Sequence, residues 1–263
     1  MNIVKSILRR IYLVYAMTLF TTTMLVVFIP VWFISLLDEP YRARNLHVVF
    51  KLWMGFYLPI VFCPVKRTGK QNFKKGEQYV VVLNHNSFAD GSISSPWIPG
   101  PNKTLLKVEI AKVPFFGKIF KTASILVDRN KGVSRQQSLV KMQEALEMGI
   151  HLCLYPEGTR NNTNEPLQPF YDGAFIIAIK AQKPIMPGVI FNTRKILPVN
   201  KKLWATPKSI RIDFLPPIST EGLTLQDVPA LKEKVHLIMS SYYTMHRDEG
   251  LARRTIKHAA ATL

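Results

Sequence analysis

Two short stretches hold the residue types that could do chemistry. The first is Asn84-His85-Asn86-Ser87-Phe88-Ala89-Asp90-Gly91. A histidine and an aspartate five positions apart share a helical face less well than an i, i+4 pair. They meet if His85 ends a strand and Asp90 opens the next helix. The carboxylate then accepts from one ring nitrogen and leaves the other free as a base. The plain alternative is a helix-capping Asp90 beside an unrelated histidine. The second stretch is Tyr155-Pro156-Glu157-Gly158-Thr159-Arg160. Pro156 and Gly158 force a tight turn after an apolar run, where binding residues are commonly carried on a rigid scaffold. Gly158 lets the backbone approach a ligand closely. A hydroxyl and a guanidinium beside it suit a phosphate, held by paired, charge-assisted hydrogen bonds. Here the plain alternative is a surface turn closed by a Glu157–Arg160 ion pair.

Taken together, the stretches resemble the lysophosphatidic acid acyltransferase (1-acyl-sn-glycerol-3-phosphate acyltransferase) family of glycerolipid acyltransferases. Asn84-His85 with Asp90 matches that family's Asn-His-x4-Asp block. Lys107-Val108-Glu109, Val113-Pro114-Phe115-Phe116-Gly117 and Val127-Asp128-Arg129 match its second block. Residues 155–160 match the third, with Tyr155 in place of the common Phe, and Pro184-Ile185-Met186-Pro187 matches the fourth. Asp172 stands where a Lys often precedes Gly173-Ala174-Phe175. The resemblance covers about residues 50 to 215.

The resemblance implies transfer of a fatty acyl group from a thioester, acyl-CoA or acyl carrier protein, to the 2-hydroxyl of 1-acyl-glycerol 3-phosphate. The product would be phosphatidic acid. His85 is the expected base, with Asp90 fixing its tautomer. Asn84, Lys107, Arg129, Glu157, Gly158, Thr159 and Arg160 are the expected substrate-binding residues. Arg160, with Lys107 or Arg129, would take the phosphate, and Glu157 would orient Arg160 or a substrate hydroxyl. Lys107 and the Gly158 N–H are candidate oxyanion donors. Ser87 reads as a helix-start residue rather than a nucleophile, and Phe115 and Phe116 as core packing before an acyl path. No metal and no cofactor beyond the acyl donor are expected. Alternatives are glycerol 3-phosphate or another lysophospholipid as acceptor, a thioesterase, and a catalytically silent membrane-binding homologue.

The elements that must position these residues alternate. Strands are expected at 79–83, 124–127, 150–154, 185–191 and 209–214. Helices are expected from about 88, over 134–148, over 171–182, and after a Thr224-x-x-Asp227 capping box to about 246. The pattern argues an α/β fold, a mixed and largely parallel sheet flanked by helices. The expected division is a membrane-associating helical segment at 1–65, a catalytic domain at 66–248 and a basic tail at 249–263.

Lys and Arg number 35 against 17 Asp and Glu, a formal charge of +18 that calls for a polyanionic partner. No nucleic-acid-binding motif is visible, and an anionic bilayer surface fits better. Residues 11–37 carry no charge and, as one helix, reach about 40 Å, beyond the ~30 Å hydrocarbon core. That run is too long for a signal-peptide core and lacks an Ala-x-Ala site, so no cleavage is expected. Pro30 should kink or end the helix, and the uncharged 52–65 stretch reads as interfacial or re-entrant. A spanning helix competes with a hairpin buried in one leaflet, which the resemblance favours; the catalytic domain would face the cytoplasm. Cys63 and Cys153, both in apolar runs, read as free thiols.

Overall fold

The computed structural model describes residues 3–128, 132–198 and 203–247. Two long helices lead, α1 (Ile3–Ile34) and α2 (Tyr41–Ile60). β1 (Val65–Thr68), β2 (Val80–Leu83), the short α3 (Asp90–Ser94), β3 (Asn102–Lys107), α4 (Phe116–Ala123) and β4 (Ser124–Val127) follow. Then come α5 (Gly132–Glu147), β5 (His151–Leu154), α6 (Gly173–Lys180), β6 (Ile185–Phe191), α7 (Thr193–Ile196), β7 (Ile210–Phe214) and α8 (Val228–His246).

Among the described residues seven strands form one sheet in the order β1-β7-β6-β2-β5-β3-β4. β2 through β6 run parallel; β7 is antiparallel to β6, and β1 is parallel to β7. The expected mixed, largely parallel sheet is therefore present. Its central strands are apolar on both faces because both faces are covered. Val80 and Val82 point to one side, with Met142 and Leu146 of α5, Phe175 of α6 and Val235 of α8. Val81 and Leu83 point to the other, with Trp53, Met54 and Leu58 of α2 and Ile119 of α4.

α1 and α2 thus belong to the sandwich. Ala16, Met24 and Val31 of α1 join the same apolar cluster. Trp53 Nε1 donates to Thr23 Oγ1 at 2.9 Å, and the Tyr57 hydroxyl donates to the Ala16 carbonyl at 3.1 Å. α1 runs one turn beyond Pro30, because fully buried Val31 holds the following turn against the fold. The proline ends nothing. The 52–65 stretch is the second half of α2 and its lead into β1, buried on one side and exposing Leu52 and Phe56 on the other.

The Thr224–Asp227 capping box is present, with both Thr224 N–H and its hydroxyl donating to Asp227. α5 starts at Gly132, so Ser134 lies inside it and its hydroxyl accepts the Asp128 N–H instead of capping. Both cysteines are free and buried.

Candidate active site

In an open parallel sheet, ligands bind beyond the carboxyl ends of the strands. β2 delivers His85 there and β5 delivers Tyr155, from adjacent strands in the register Val82 opposite Leu154. β3 ends on the same edge. Thr104 lies opposite Cys153, so exposed Lys107, three residues on, reaches the level of Pro156.

The end of β2 is latched before the histidine begins. Asn84 is fully buried, and its side chain pairs with the backbone of Ile190 in β6. Its Oδ1 accepts the Ile190 N–H at 2.6 Å, and its Nδ2 donates to the Ile190 carbonyl at 3.0 Å. The amide expected at substrate is thus spent on the sheet, where an unpaired strand-end backbone would be costly.

His85 follows with its ring partly exposed. Nδ1 lies 2.9 Å from Asp90 Oδ2, and that oxygen also accepts the N–H groups of Asn86 at 2.6 Å and Ser87 at 2.7 Å. Asp90 opens α3, as its spacing from His85 requires. With a carboxylate as its partner, Nδ1 carries the proton and the Nε2 lone pair is available. Ser87 is fully buried; its hydroxyl contacts the Leu197 carbonyl at 3.3 Å and the Ala89 N–H at 3.4 Å, so it belongs to the loop.

The second turn holds the first from behind. Glu157, 1% exposed, does not pair with Arg160. Its Oε1 accepts the His85 N–H at 2.7 Å and its Oε2 accepts the Gln168 N–H at 2.8 Å. Burial pushes this carboxyl up to about 7, against the opposing pull of those two N–H donors. Asn161 completes the grip: its N–H donates to the His85 carbonyl at 2.7 Å. Its fully buried side chain ties the same loop together, donating to the Glu165 carbonyl at 3.0 Å and accepting the Thr163 N–H at 2.9 Å. Both backbone groups of His85 are therefore fixed by residues of the 157–168 loop. Asn161 and Gln168 were missed in the sequence, because backbone-directed side chains outside a recognisable block leave no compositional trace.

Gly158 adopts φ +68°, which favours glycine, and its N–H closes the turn onto the Tyr155 carbonyl at 3.0 Å. That bond occupies the donor expected at an oxyanion. Thr159 is exposed, its hydroxyl 3.5 Å from Gln168 Oε1. Arg160 is exposed, pairs with no acid among the described residues, and sits 5.9 Å from the Phe88 ring centroid. Arg129 lies outside the described residues, as does the 249–263 tail. Asp172 pairs with Lys232 of α8 at 2.7 Å, so its charge is turned to that helix.

Phe88 begins an aromatic row. Phe116 lies 6.2 Å from it, with Phe120 at 4.2 Å and Phe20 of α1 at 6.5 Å from Phe116. Phe115 stands half exposed over Phe28 of α1 at 5.3 Å. The row runs from the site to the N-terminal helices. Among the described residues no cluster of His, Cys, Asp or Glu could hold a metal ion.

A family model described as Acyltransferase matches residues 64–191. The chain is 31% identical over 231 residues to 1-acyl-sn-glycerol-3-phosphate acyltransferase of Saccharomyces cerevisiae, covering 83% of this chain and 72% of that protein. It is 31% identical over 189 residues to 1-acyl-sn-glycerol-3-phosphate acyltransferase alpha of Mus musculus. That match covers 71% of this chain and spans 66% of the mouse protein's length. The fold is similar to the crystal structure of the 1-acyl-sn-glycerophosphate (LPA) acyltransferase from Thermotoga maritima. The TM-score is 0.74 at 18% identity, over 93% of this chain and 97% of that one.

Proposed function

Because this chain belongs to the 1-acyl-sn-glycerol-3-phosphate acyltransferase family, we propose that it acylates the 2-hydroxyl of 1-acyl-glycerol 3-phosphate to give phosphatidic acid. The observation that carries the reading is the His85–Asp90 pair, 2.9 Å apart at a strand's carboxyl end. Nε2 takes the proton of the acceptor hydroxyl as its oxygen attacks the thioester carbonyl. The tetrahedral intermediate collapses, the C–S bond breaks, and the thiolate recovers the proton from the imidazolium. Asp90 stabilises that imidazolium; a general base contributes typically 10²–10⁴-fold. Transfer is direct, since Ser87 is committed to the loop. Arg160, exposed without an acidic partner among the described residues, is the phosphate ligand, and exposed Lys107 adds positive charge on the same edge of the sheet. The donor is an acyl thioester, on coenzyme A or on acyl carrier protein; the chemistry at the carbonyl is the same for either.

The lipid substrate enters from a bilayer. Only 11% of the most apolar stretch of α1 is buried, and the helix exposes Ile7, Ile11, Val14, Val26, Ile29 and Phe33. These residues seat the protein in one leaflet, with the catalytic domain on the cytoplasmic side. The aromatic row from Phe28 to Phe88 then leads acyl chains from that leaflet to His85.

His85→Ala should lower turnover with 1-acyl-glycerol 3-phosphate by about 10² or more at unchanged melting temperature. Turnover near that of the unaltered protein would remove His85 from the reaction. Release of free thiol without acceptor, retained in full, would mark a thioesterase instead.

A further inference from the structure

Tyr155 stands where the resembled family usually has a phenylalanine, so its hydroxyl is not needed by the turn itself. In this chain the hydroxyl has a partner. Tyr155 Oη lies 2.6 Å from Ser94 Oγ, and Ser94 is fully buried at the last position of α3, one turn on from Asp90. The phenol ring packs against the imidazole of His85, with centroids 4.6 Å apart and planes at 31°. A single side chain therefore touches the base with its face and the helix that carries the base's carboxylate with its tip. Cys153 Sγ sits behind both hydroxyls, 3.9 Å from Ser94 Oγ and 4.0 Å from Tyr155 Oη. Burial pushes that thiol up to about 12, so it is a neutral wall there and not a competing anion.

We propose that Tyr155 and Ser94 are positioning residues for His85: the ring braces the imidazole, and the hydroxyl pair locks the ring to the helix bearing Asp90. This rests on the reading of His85 as the base. Imidazole and carboxylate come from different elements, and a proton must pass from the substrate to Nε2 while Nδ1 stays on Asp90. A ring that slides would let the imidazole tilt off that line. The face of an aromatic ring also favours a cation over it, so the brace is tighter when His85 is protonated. Among the described residues, Asp90 meets His85 at Nδ1, Glu157 at its backbone N–H and the Tyr155 phenol at its ring face. Tyr243 also lies within electrostatic reach of Asp90 and Glu157, and Arg194 within reach of Tyr243.

The test is a double-mutant cycle of Tyr155→Phe and Ser94→Ala, read as turnover, Michaelis constants, pH profile and melting temperature. Tyr155→Phe keeps the ring and loses the lock; Ser94→Ala loses the lock from the other side. Each should lower kcat about 3- to 10-fold with both Michaelis constants within about twofold. Each should also move the apparent pKa of the acid limb down by about half a unit. The double variant should be no worse than either single one, since one bond serves both residues. Unchanged kcat and acid limb in both single variants would overturn the proposal, as would two losses that simply multiply. If His85→Ala itself keeps its activity, the reading of the base fails instead. If His85→Ala is inactive and both single variants behave as the unaltered protein, only the positioning role fails.

Discussion

Glu157 shows what a buried carboxylate does when no cation meets it. Its two oxygens hold the N–H groups of His85 and Gln168, and burial raises its pKa from an ordinary 4.5 to about 7. Between those pH values the folded state keeps a proton that the unfolded chain has released. Stability from this group therefore falls as pH rises through the window, and the loss is complete above about 7. At 1.36 kcal/mol per unit the full swing is on the order of 3 kcal/mol. Buried His151 titrates in an overlapping window with the opposite sign. Burial holds it down near 4, below its ordinary 6.5, so it removes stability as pH falls. Only a comparison isolates Glu157. Glu157→Gln cannot titrate, so the stability of the unaltered protein relative to this variant should decline as pH goes from about 4.5 to 8. Urea unfolding of both proteins across that range checks it, and a difference that stays flat sinks it. Turnover of the variant should also fall, because a Gln amide offers one acceptor oxygen to two N–H donors. The sequence suggested a local Glu157–Arg160 pair, because spacing displays near neighbours only. The true partners are backbone groups, and His85 is 72 positions away.

At the scale of elements, the alternation of strands and helices was legible wherever a β-branched run or an apolar stripe marked it. The strand expected at 124–127 is β4 and the one at 185–191 is β6. β1 and β3 were not seen. Val65–Thr68 alternates half-buried and exposed residues at the sheet's edge, and Asn102–Lys107 carries two lysines and an asparagine. Neither has the continuous apolar run of a strand covered on both faces, so tertiary pairing decides them. Helix α3 and the His85–Asp90 meeting were legible because the spacing allowed a strand-end histidine to meet a helix-start aspartate. The family resemblance chose that geometry over a capping Asp90 beside an unrelated histidine. The Asn84 latch was not legible, since Ile190 is far along the chain. Its register depends on close approach of β2 and β6 at Gly188. A β-carbon there would come 2.6 Å from Leu83 Cδ2 and 3.1 Å from Phe214 Cδ1. Leu83 is fully buried and directly precedes Asn84, so it has little room to yield. Gly188→Ala should cost about 1–3 kcal/mol, the range for overpacking a core. It should also lower turnover more than its effect on melting alone explains, by shifting the end of β2. Thermal melts and turnover at a temperature well below the transition test this; a variant that melts and turns over unchanged would show that β2 and β6 have slack.

For the whole molecule the open choice in the sequence was between a helix that crosses the bilayer and one that lies in it. Hydropathy alone favours the spanning helix, because it measures length and not neighbours, and basic residues at both ends leave the orientation open. The fold supplies the neighbours. Near the start of α1, the Arg9 guanidinium lies 4.4 Å from the ring centroid of Trp204, which belongs to the catalytic part. Just past its end, Glu39 bonds Lys103 Nζ of β3 at 2.6 Å and Arg42 at 2.8 Å. From Arg9 to Ile34 the chain spans roughly 38 Å at helical rise, yet both ends touch the same domain. Contacts at both ends favour a helix that lies along the domain over one that crosses a membrane. On the proposed one-leaflet seating, its exposed apolar face is buried in lipid and high salt should not extract the protein, since screening weakens charge contacts and leaves apolar burial. The discriminating measurement uses single cysteines, because native Cys63 and Cys153 are 2% and 0% exposed and should label slowly. Lys5→Cys, Asp38→Cys and, as a catalytic-domain reference, Lys74→Cys are each reconstituted on sealed vesicles and treated outside with a membrane-impermeant maleimide. All three should be modified from the same side. Protection of either Lys5→Cys or Asp38→Cys, with the reference labelled and full labelling after detergent, would mean that α1 crosses the bilayer and that its contacts with Trp204 and Lys103 do not both persist there.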